Sequence, residues 1–341
     1  MTQVWEHNGL YSVLHPIVVY ATRCHYCNHI ELRNSHLLPT EGSIVFTPNH
    51  QSGMMDALTV LRLAGDKLVI FCRGDIFKPP AMRRLLHFLR CLPIYRPRDG
   101  REALKANSAT LEAAHQSLLH GVPVYITPEG THHDGLHLLP LRKGFADMAC
   151  RAQAELADKP VWVVPVAITY SSYSAPYSAA VATFGHPIDA RRYATLYAAE
   201  PMQAIADMTA ELRTNLETAI GQPPQVRPRW GLIAAIAAAA AGLAATGHAG
   251  VLLVLLLANP VALVPTTWLS RRLTDDPQFV QTIDFGLRAA AMIVWLLAHF
   301  VFMAACGYWM GAVASTFIGV ALPWLIGLIF STKDKNTRKT L

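Results

Sequence analysis

Charged side chains are scarce: 29 Lys and Arg plus 23 Asp and Glu make up 15% of 341 residues, against 52% apolar ones. A typical soluble domain carries about 25% charged residues, so the shortfall argues against a chain that is water-exposed throughout. It is also uneven. Trp230–Ser270 is a run of 41 residues without Lys, Arg, Asp or Glu, and Ala289–Thr332 is a run of 44. Each is about twice the roughly 20 residues that cross a bilayer core. Small residues break each run near its middle, at Gly247-His248-Ala249-Gly250 and at Cys306-Gly307. The expectation is two helical hairpins, about four transmembrane α-helices, within residues 226–341. Because those runs hold no carboxylate and no Lys or Arg, they lack the usual mark of an ion or substrate pathway.

Other absences narrow the function further. The six cysteines (Cys24, Cys27, Cys72, Cys91, Cys150 and Cys306) form no disulfide framework, which suits a reducing compartment. Cys24 and Cys27 make a lone C-x-x-C with no second ligand pair at zinc spacing. No recognition-helix or stacking-aromatic pattern points to nucleic acid. No small-residue cleavage site follows the apolar stretch Val13–Ala21, which His15 and Pro16 interrupt, so a cleavable signal peptide is not expected.

Basic residues fix an orientation. Arg227 and Arg229 precede the first apolar run, Arg271 and Arg272 follow it, and Lys333, Lys335, Arg338 and Lys339 close the tail. The positive-inside rule puts the N-terminal region and the tail on the cytoplasmic face of a multi-pass membrane protein. Between Arg62 and Lys105 there are eleven Lys/Arg and four Asp/Glu, a local charge of +7 within a total of +6. Such a block suits anionic headgroups or phosphorylated substrates. Residues 9–22 are apolar with aromatic tips, and they read either as an interfacial helix or as one packed on the domain.

In residues 1–225, short apolar strands alternate with helical patterns: Ser43–Pro48, Lys67–Cys72, Leu92–Tyr95, Val122–Thr127 and Val161–Ile168 against Met54–Leu63, Ala81–Leu89, Arg101–His120, Leu141–Leu156 and Met202–Ile220. That alternation predicts an α/β fold with a largely parallel sheet flanked by helices. Gly221-Gln222-Pro223-Pro224-Gln225 is the linker to the apolar half.

The chemistry concentrates where strands give way to helices. Asn49-His50-Gln51-Ser52-Gly53-Met54-Met55-Asp56 sets a histidine and a carboxylate six residues apart, and Gly53 lets the loop fold back. A histidine suits proton removal from a hydroxyl near neutral pH, and an acid on its other nitrogen fixes the tautomer. Ser52 reads as a helix cap rather than a nucleophile. The simplest scheme is direct attack by a substrate hydroxyl that His50 deprotonates. His132, His133, Asp134 and His137 crowd a polar loop and keep a metal-dependent hydrolase as a rival, and a non-catalytic lipid-binding scaffold is another.

Asn49-His50-Gln51-Ser52…Asp56 and Thr127-Pro128-Glu129-Gly130-Thr131 resemble the first and third motifs of the glycerolipid acyltransferases, a superfamily that includes 1-acylglycerol-3-phosphate and glycerol-3-phosphate acyltransferases. Leu92-Pro93-Ile94-Tyr95-Arg96 resembles the second motif and Val164-Pro165-Val166 the fourth, in family order. The resemblance implies His50 as general base, Asp56 as its partner, and Arg96, Glu129, Gly130 and Thr131 at a phosphorylated acceptor, a glycerol phosphate or lysophospholipid. It implies acyl-CoA or acyl-ACP (acyl carrier protein) as co-substrate, with no other cofactor and no resident metal. Arg73, Lys78, Arg98, Arg142 and Lys143 are further candidates for the anion site. Two features depart from the commonest pattern. Five residues separate His50 from Asp56 instead of four, as in a subgroup with yeast-type glycerol-3-phosphate/dihydroxyacetone-phosphate acyltransferases. His132-His133 stand where Arg-Ser is usual, and Thr127 where Phe is.

Overall fold

The computed structural model describes residues 4–6, 8–25, 27–96, 99–133, 135–156, 158–172, 178–225, 227–228, 266–274 and 277–305, with isolated residues 238, 245, 307, 313 and 330–331. The chain divides into two compact units. One comprises residues 1–17, 32–169 and 181–222, the other 18–31, 170–180 and 223–341.

The first unit is built on β2 (Ser43–Pro48), β3 (Val69–Arg73), β4 (Cys91–Ile94), β5 (Val124–Tyr125), β6 (Val161–Tyr170), β7 (Ser178–Phe184) and β8 (Ile188–Asp189), β1 being Cys27–Arg33. Its order runs β7-β6-β2-β5-β3-β4, with β8 on β6. The β2–β6, β2–β5, β5–β3 and β3–β4 pairs are parallel and β8 is antiparallel to β6. The sheet is therefore mixed but mostly parallel. Parallel sheets need cover on both faces, and the sequence supplies it as unbroken apolar strands. In register, Val45, Val124, Val69 and Val163 align across one face. They are fully buried against α5 (Asn107–Leu119), α6 (Gly144–Glu155) and α8 (Pro201–Ala219), through Leu118, Phe145, Met208 and Leu212 among others. Phe46, Tyr125, Ile70 and Cys91 share the opposite face. None of the buried side chains of α2 (Gly53–Ala64) joins the cluster on the first face, which puts α2 on this second one.

Three sequence expectations change. The helix expected over Arg101–His120 is two, α4 (Arg101–Lys105) and α5. Asn107 breaks it because its side-chain amide pairs with the Tyr95 backbone in both directions, Oδ1 accepting at 2.9 Å and Nδ2 donating at 2.8 Å. Strand β7 was not anticipated, since its Ser- and Ala-rich residues carry little of the β-branched signal. Residues 9–22 belong to α1 (Gly9–His25), whose first half combines both readings. Tyr11 is buried, Ser12 donates to Asp66, and His15 Nε2 lies 3.3 Å from the Leu61 carbonyl. The outward stripe Leu10, Val13 and Ile17 is 58–67% exposed.

In the second unit, among the described residues, no helix is long and apolar enough to cross a membrane. Most of Trp230–Ser270, including its central break, lies outside the described residues, as do most residues after Ala305. The helix Pro277–Ala305 does not start at Ala289, where the charge-free run begins. Asp284 and Arg288 sit one turn apart and pair at 2.7 Å, so the helix runs through them without a lone buried charge. Gly307 adopts φ 81°, the left-handed geometry that ends helices. Arg227 and Pro228 pair antiparallel with Ser331 and Phe330.

Candidate active site

Strand β2 ends at Pro48, and Asn49 continues its pairing by other means. The Asn49 Oδ1 accepts from Ile168 N at 2.6 Å and its Nδ2 donates to the Ile168 carbonyl at 3.0 Å. A buried side-chain amide thus replaces the next peptide of the ladder and locks the start of the His50 loop to β6.

The loop then folds back on itself as the glycine allows. His50 Nδ1 lies 2.8 Å from Asp56 Oδ2, with the imidazole 16% exposed and the carboxylate fully buried. The same oxygen accepts from Gln51 N and Ser52 N, each at 3.0 Å. This corrects the expectation for Ser52: it stands at the N-cap position, but its hydroxyl makes no capping bond. The Asp56 carboxylate collects the neighbouring amides instead, at a helix N-terminus whose dipole favours a negative charge. With Nδ1 held by Asp56, Nε2 is the nitrogen left to exchange protons with a ligand.

The third motif is bolted to the first. After β5 the chain turns at Thr127-Pro128-Glu129-Gly130, where Gly130 N donates to the Thr127 carbonyl at 3.1 Å and Gly130 takes φ 69°. Glu129 is buried. Its Oε1 accepts from His50 N at 2.7 Å and its Oε2 from Leu139 N at 2.8 Å. His133 N donates to the His50 carbonyl at 3.3 Å. Glu129, which the resemblance sets at the acceptor, thus has both oxygens bound by backbone amides and braces His50.

The histidine-rich loop splits by direction. His132 sets its ring edge-to-face against His50, centroids 5.5 Å apart. His133 turns away, with Nε2 2.6 Å from the His137 carbonyl and Nδ1 3.5 Å from Glu129. Asp134 lies outside the described residues, and among these no three His, Cys, Asp or Glu side chains converge as metal ligands. Cys24 and Cys27 have no described side chains.

The basic candidates lie at strand ends and on a surface turn. Arg73 and Ile94 are register partners at the ends of β3 and β4, which brings Arg96 close by. Arg73 grips Asp75 through two nitrogens, and this hydrogen bonding, with further help from Arg96, holds the Asp75 carboxyl below its ordinary range. Arg96 lies 3.8 Å from Asp99. Gly74 is tight: a Cβ there would meet the Tyr95 ring at 2.2 Å. Gly130, Thr131, Arg142 and Lys143 are exposed, and a Cβ on Gly130 would sit 3.6 Å from Arg142 Cγ. Lys78 is exposed too, and Arg98 lies outside the described residues.

Cys91 is no rival nucleophile, because the hydrogen bond its thiol donates to Cys72 and its burial both push its pKa up, the wrong direction for a reactive thiolate. Sequence reasoning missed the Asn49 splice, the Glu129 brace, the carboxylates facing Arg73 and Arg96, and the place of His132. Asp75 and Asp99 sit within three residues of their arginines, a proximity readable in the chain.

Residues 29–169 match the family described as Acyltransferase. The mouse 1-acyl-sn-glycerol-3-phosphate acyltransferase alpha is 27% identical over 175 residues, 51% of this chain and 54% of that protein. The chain thus spans about half the length of this curated relative. The crystal structure of the 1-acyl-sn-glycerophosphate (LPA) acyltransferase PlsC from Thermotoga maritima aligns with a TM-score of 0.43 at 14% identity, over 62% of this chain and 79% of that one.

Proposed function

From the premise that residues 29–169 form an acyltransferase domain of the glycerolipid acyltransferase superfamily, we propose that the protein moves a fatty acyl group from a thioester of coenzyme A or acyl carrier protein to a hydroxyl of a phosphorylated glycerol or lysophospholipid. The observation that carries this reading is the 2.8 Å His50–Asp56 contact, which occupies Nδ1 and leaves Nε2 for the proton transfer. His50 takes the hydroxyl proton as the acceptor oxygen attacks the thioester carbonyl. The C–O bond forms, the C–S bond breaks, and the departing thiolate takes the proton back from the imidazolium. Asp56 stabilises that imidazolium.

Arg96, Gly130, Thr131, Arg142 and Lys143 suit the acceptor phosphate, since a guanidinium can fork onto it and a bare glycine lets it approach. Arg73 belongs to the same end of the sheet, in company with Asp75. The name of the mouse relative favours a 1-acylated glycerol phosphate as acceptor. We assign residues 1–225 to this catalytic part and 226–341 to membrane attachment, with the catalytic part on the cytoplasmic face. Three features support attachment: the apolar runs, the basic residues that flank them, and the outward Leu10, Val13 and Ile17 of α1.

The test uses purified full-length protein, labelled palmitoyl-CoA and palmitoyl-ACP, and glycerol 3-phosphate, lysophosphatidate or another lysolipid in turn. Transfer to one acceptor is expected. His50→Ala should abolish it and Arg96→Ala should raise that acceptor's KM. Thioester hydrolysis without transfer, or transfer by His50→Ala, rejects the reading.

A further inference from the structure

The mechanism leaves three buried polar atoms near the dyad unused. Tyr125 Oη, Ser52 Oγ and Gln51 Oε1 have no hydrogen-bond partner among the described atoms, in residues that are 2%, 0% and 0% exposed. The Gln51 side chain turns to the Gly135 carbonyl, to which its Nε2 donates at 2.6 Å, so Tyr125 and Ser52 are the two that lie near Asp56. The backbone amides of Gln51 and Ser52 both point at Asp56 Oδ2. Tyr125 approaches from the sheet, in register with Phe46 and Ile70 on the face that α2 covers. Burial, with smaller contributions from Asp56 and Cys72, drives its phenol well above the ordinary pKa, so the hydroxyl keeps its proton and is a donor. A buried hydroxyl with no partner is unfavourable. Two such hydroxyls near one buried carboxylate suit an internal water with about three hydrogen bonds.

We propose that Tyr125 and Ser52 hold one internal water against the Asp56 carboxylate, which makes Tyr125 a positioning residue for the base. The path runs from the Tyr125 hydroxyl through the water to Asp56 and on to His50 Nδ1. Hydrogen bonds donated to a carboxylate draw off part of its charge, so Asp56 stabilises the imidazolium less and His50 keeps a proton affinity suited to neutral pH. The other titratable groups facing the pair are His132 at its ring, Glu129 and His133 behind its backbone, and Cys72 beside Tyr125. None of these changes in the variants below.

The inference rests on His50 as base, and the experiment separates the two. The pH dependence of kcat/KM is measured for the full-length wild type, Tyr125→Phe, Ser52→Ala, the double variant and His50→Ala. Tyr125→Phe is expected to lower kcat roughly 3- to 10-fold, the worth of about one net hydrogen bond. It should also move the acid limb to higher pH, with both KM values unchanged. Ser52→Ala should act in the same direction, and the double variant should fall short of additivity because either change displaces the same water. An unmoved acid limb in Tyr125→Phe with equal or raised thermal stability overturns the proposal, since a hydroxyl without a partner has nothing to lose. If Tyr125→Phe does not fold, an unmoved limb in Ser52→Ala overturns it instead. Transfer by His50→Ala would reject the base assignment itself, whereas an inactive His50→Ala with an unmoved Tyr125→Phe limb rejects only the water.

Discussion

Glu129 offers the sharpest test of how the two motifs cooperate. Glu129→Gln keeps the size of the side chain and removes its charge, and one of its two terminal atoms becomes a donor. Both atoms now accept from backbone N–H groups, His50 at 2.7 Å and Leu139 at 2.8 Å, so the new NH2 must face another N–H. A hydrogen bond to a charged group contributes about 1.5–3 kcal/mol, and its loss at a buried site also leaves a donor unmet. If the bond lost is the one to His50 and its whole worth enters the barrier, kcat falls about 10- to 150-fold. If the bond lost is the one to Leu139, stability falls and kcat less so. In either case the acceptor is not touched directly, so its KM should stay within about twofold while kcat drops. Steady-state kinetics with varied acceptor at saturating donor separates the outcomes. A raised acceptor KM with an unchanged kcat would refute the bracing role and return Glu129 to the acceptor site.

Two further perturbations probe the basic end of the sheet. Arg73→Gln should raise the Asp75 titration midpoint, followed by carboxyl NMR, back towards the ordinary carboxylate value. Because Asp75 titrates below that value in the folded protein, the pair's contribution to stability is present above the ordinary pKa and fades as pH falls through the depressed one. A midpoint that does not move would mean that Arg73 is not what holds it down. Gly74→Ala should lower the urea midpoint by the equivalent of about 1–3 kcal/mol, since its Cβ overlaps the Tyr95 ring and overpacking costs that much. An unchanged midpoint would show that the ring moves aside freely.

The alternation of strands and helices in the first unit was legible because its signals are local and mutually consistent. β2 spans Ser43–Pro48 as expected, β6 begins at Val161 as expected, and the dyad loop closes as the spacing and Gly53 suggest. Errors appear where a side chain does the work of a backbone. Asn107 ends a helix by pairing with Tyr95, Asn49 extends a strand, and the Asp56 carboxylate caps a helix in place of Ser52. None of these has a periodicity to read. Each depends on where a distant strand delivers its peptide groups, which is a tertiary fact. Strand β7 fails for the opposite reason, since its small residues are buried by neighbours rather than by their own preference.

Electrostatics shows the same gap between composition and site. The +7 block between Arg62 and Lys105 reads as a ready-made anion platform. Yet Arg73 is gripped by Asp75, Arg96 faces Asp99, and the Arg90 guanidinium donates to the carbonyls of Val4 and Glu6. Cations held this way are pre-oriented rather than absent, because a carboxylate keeps a guanidinium extended at little entropic cost until a phosphate competes for it. The competition has a direction: a dianionic phosphate offers more charge than one carboxylate, while the carboxylate is already in place. The acceptor affinity attributable to Arg73 should therefore rise when Asp75 is neutralised, and the net charge of the block cannot report that, since it counts both members of the pair as if neither met the other.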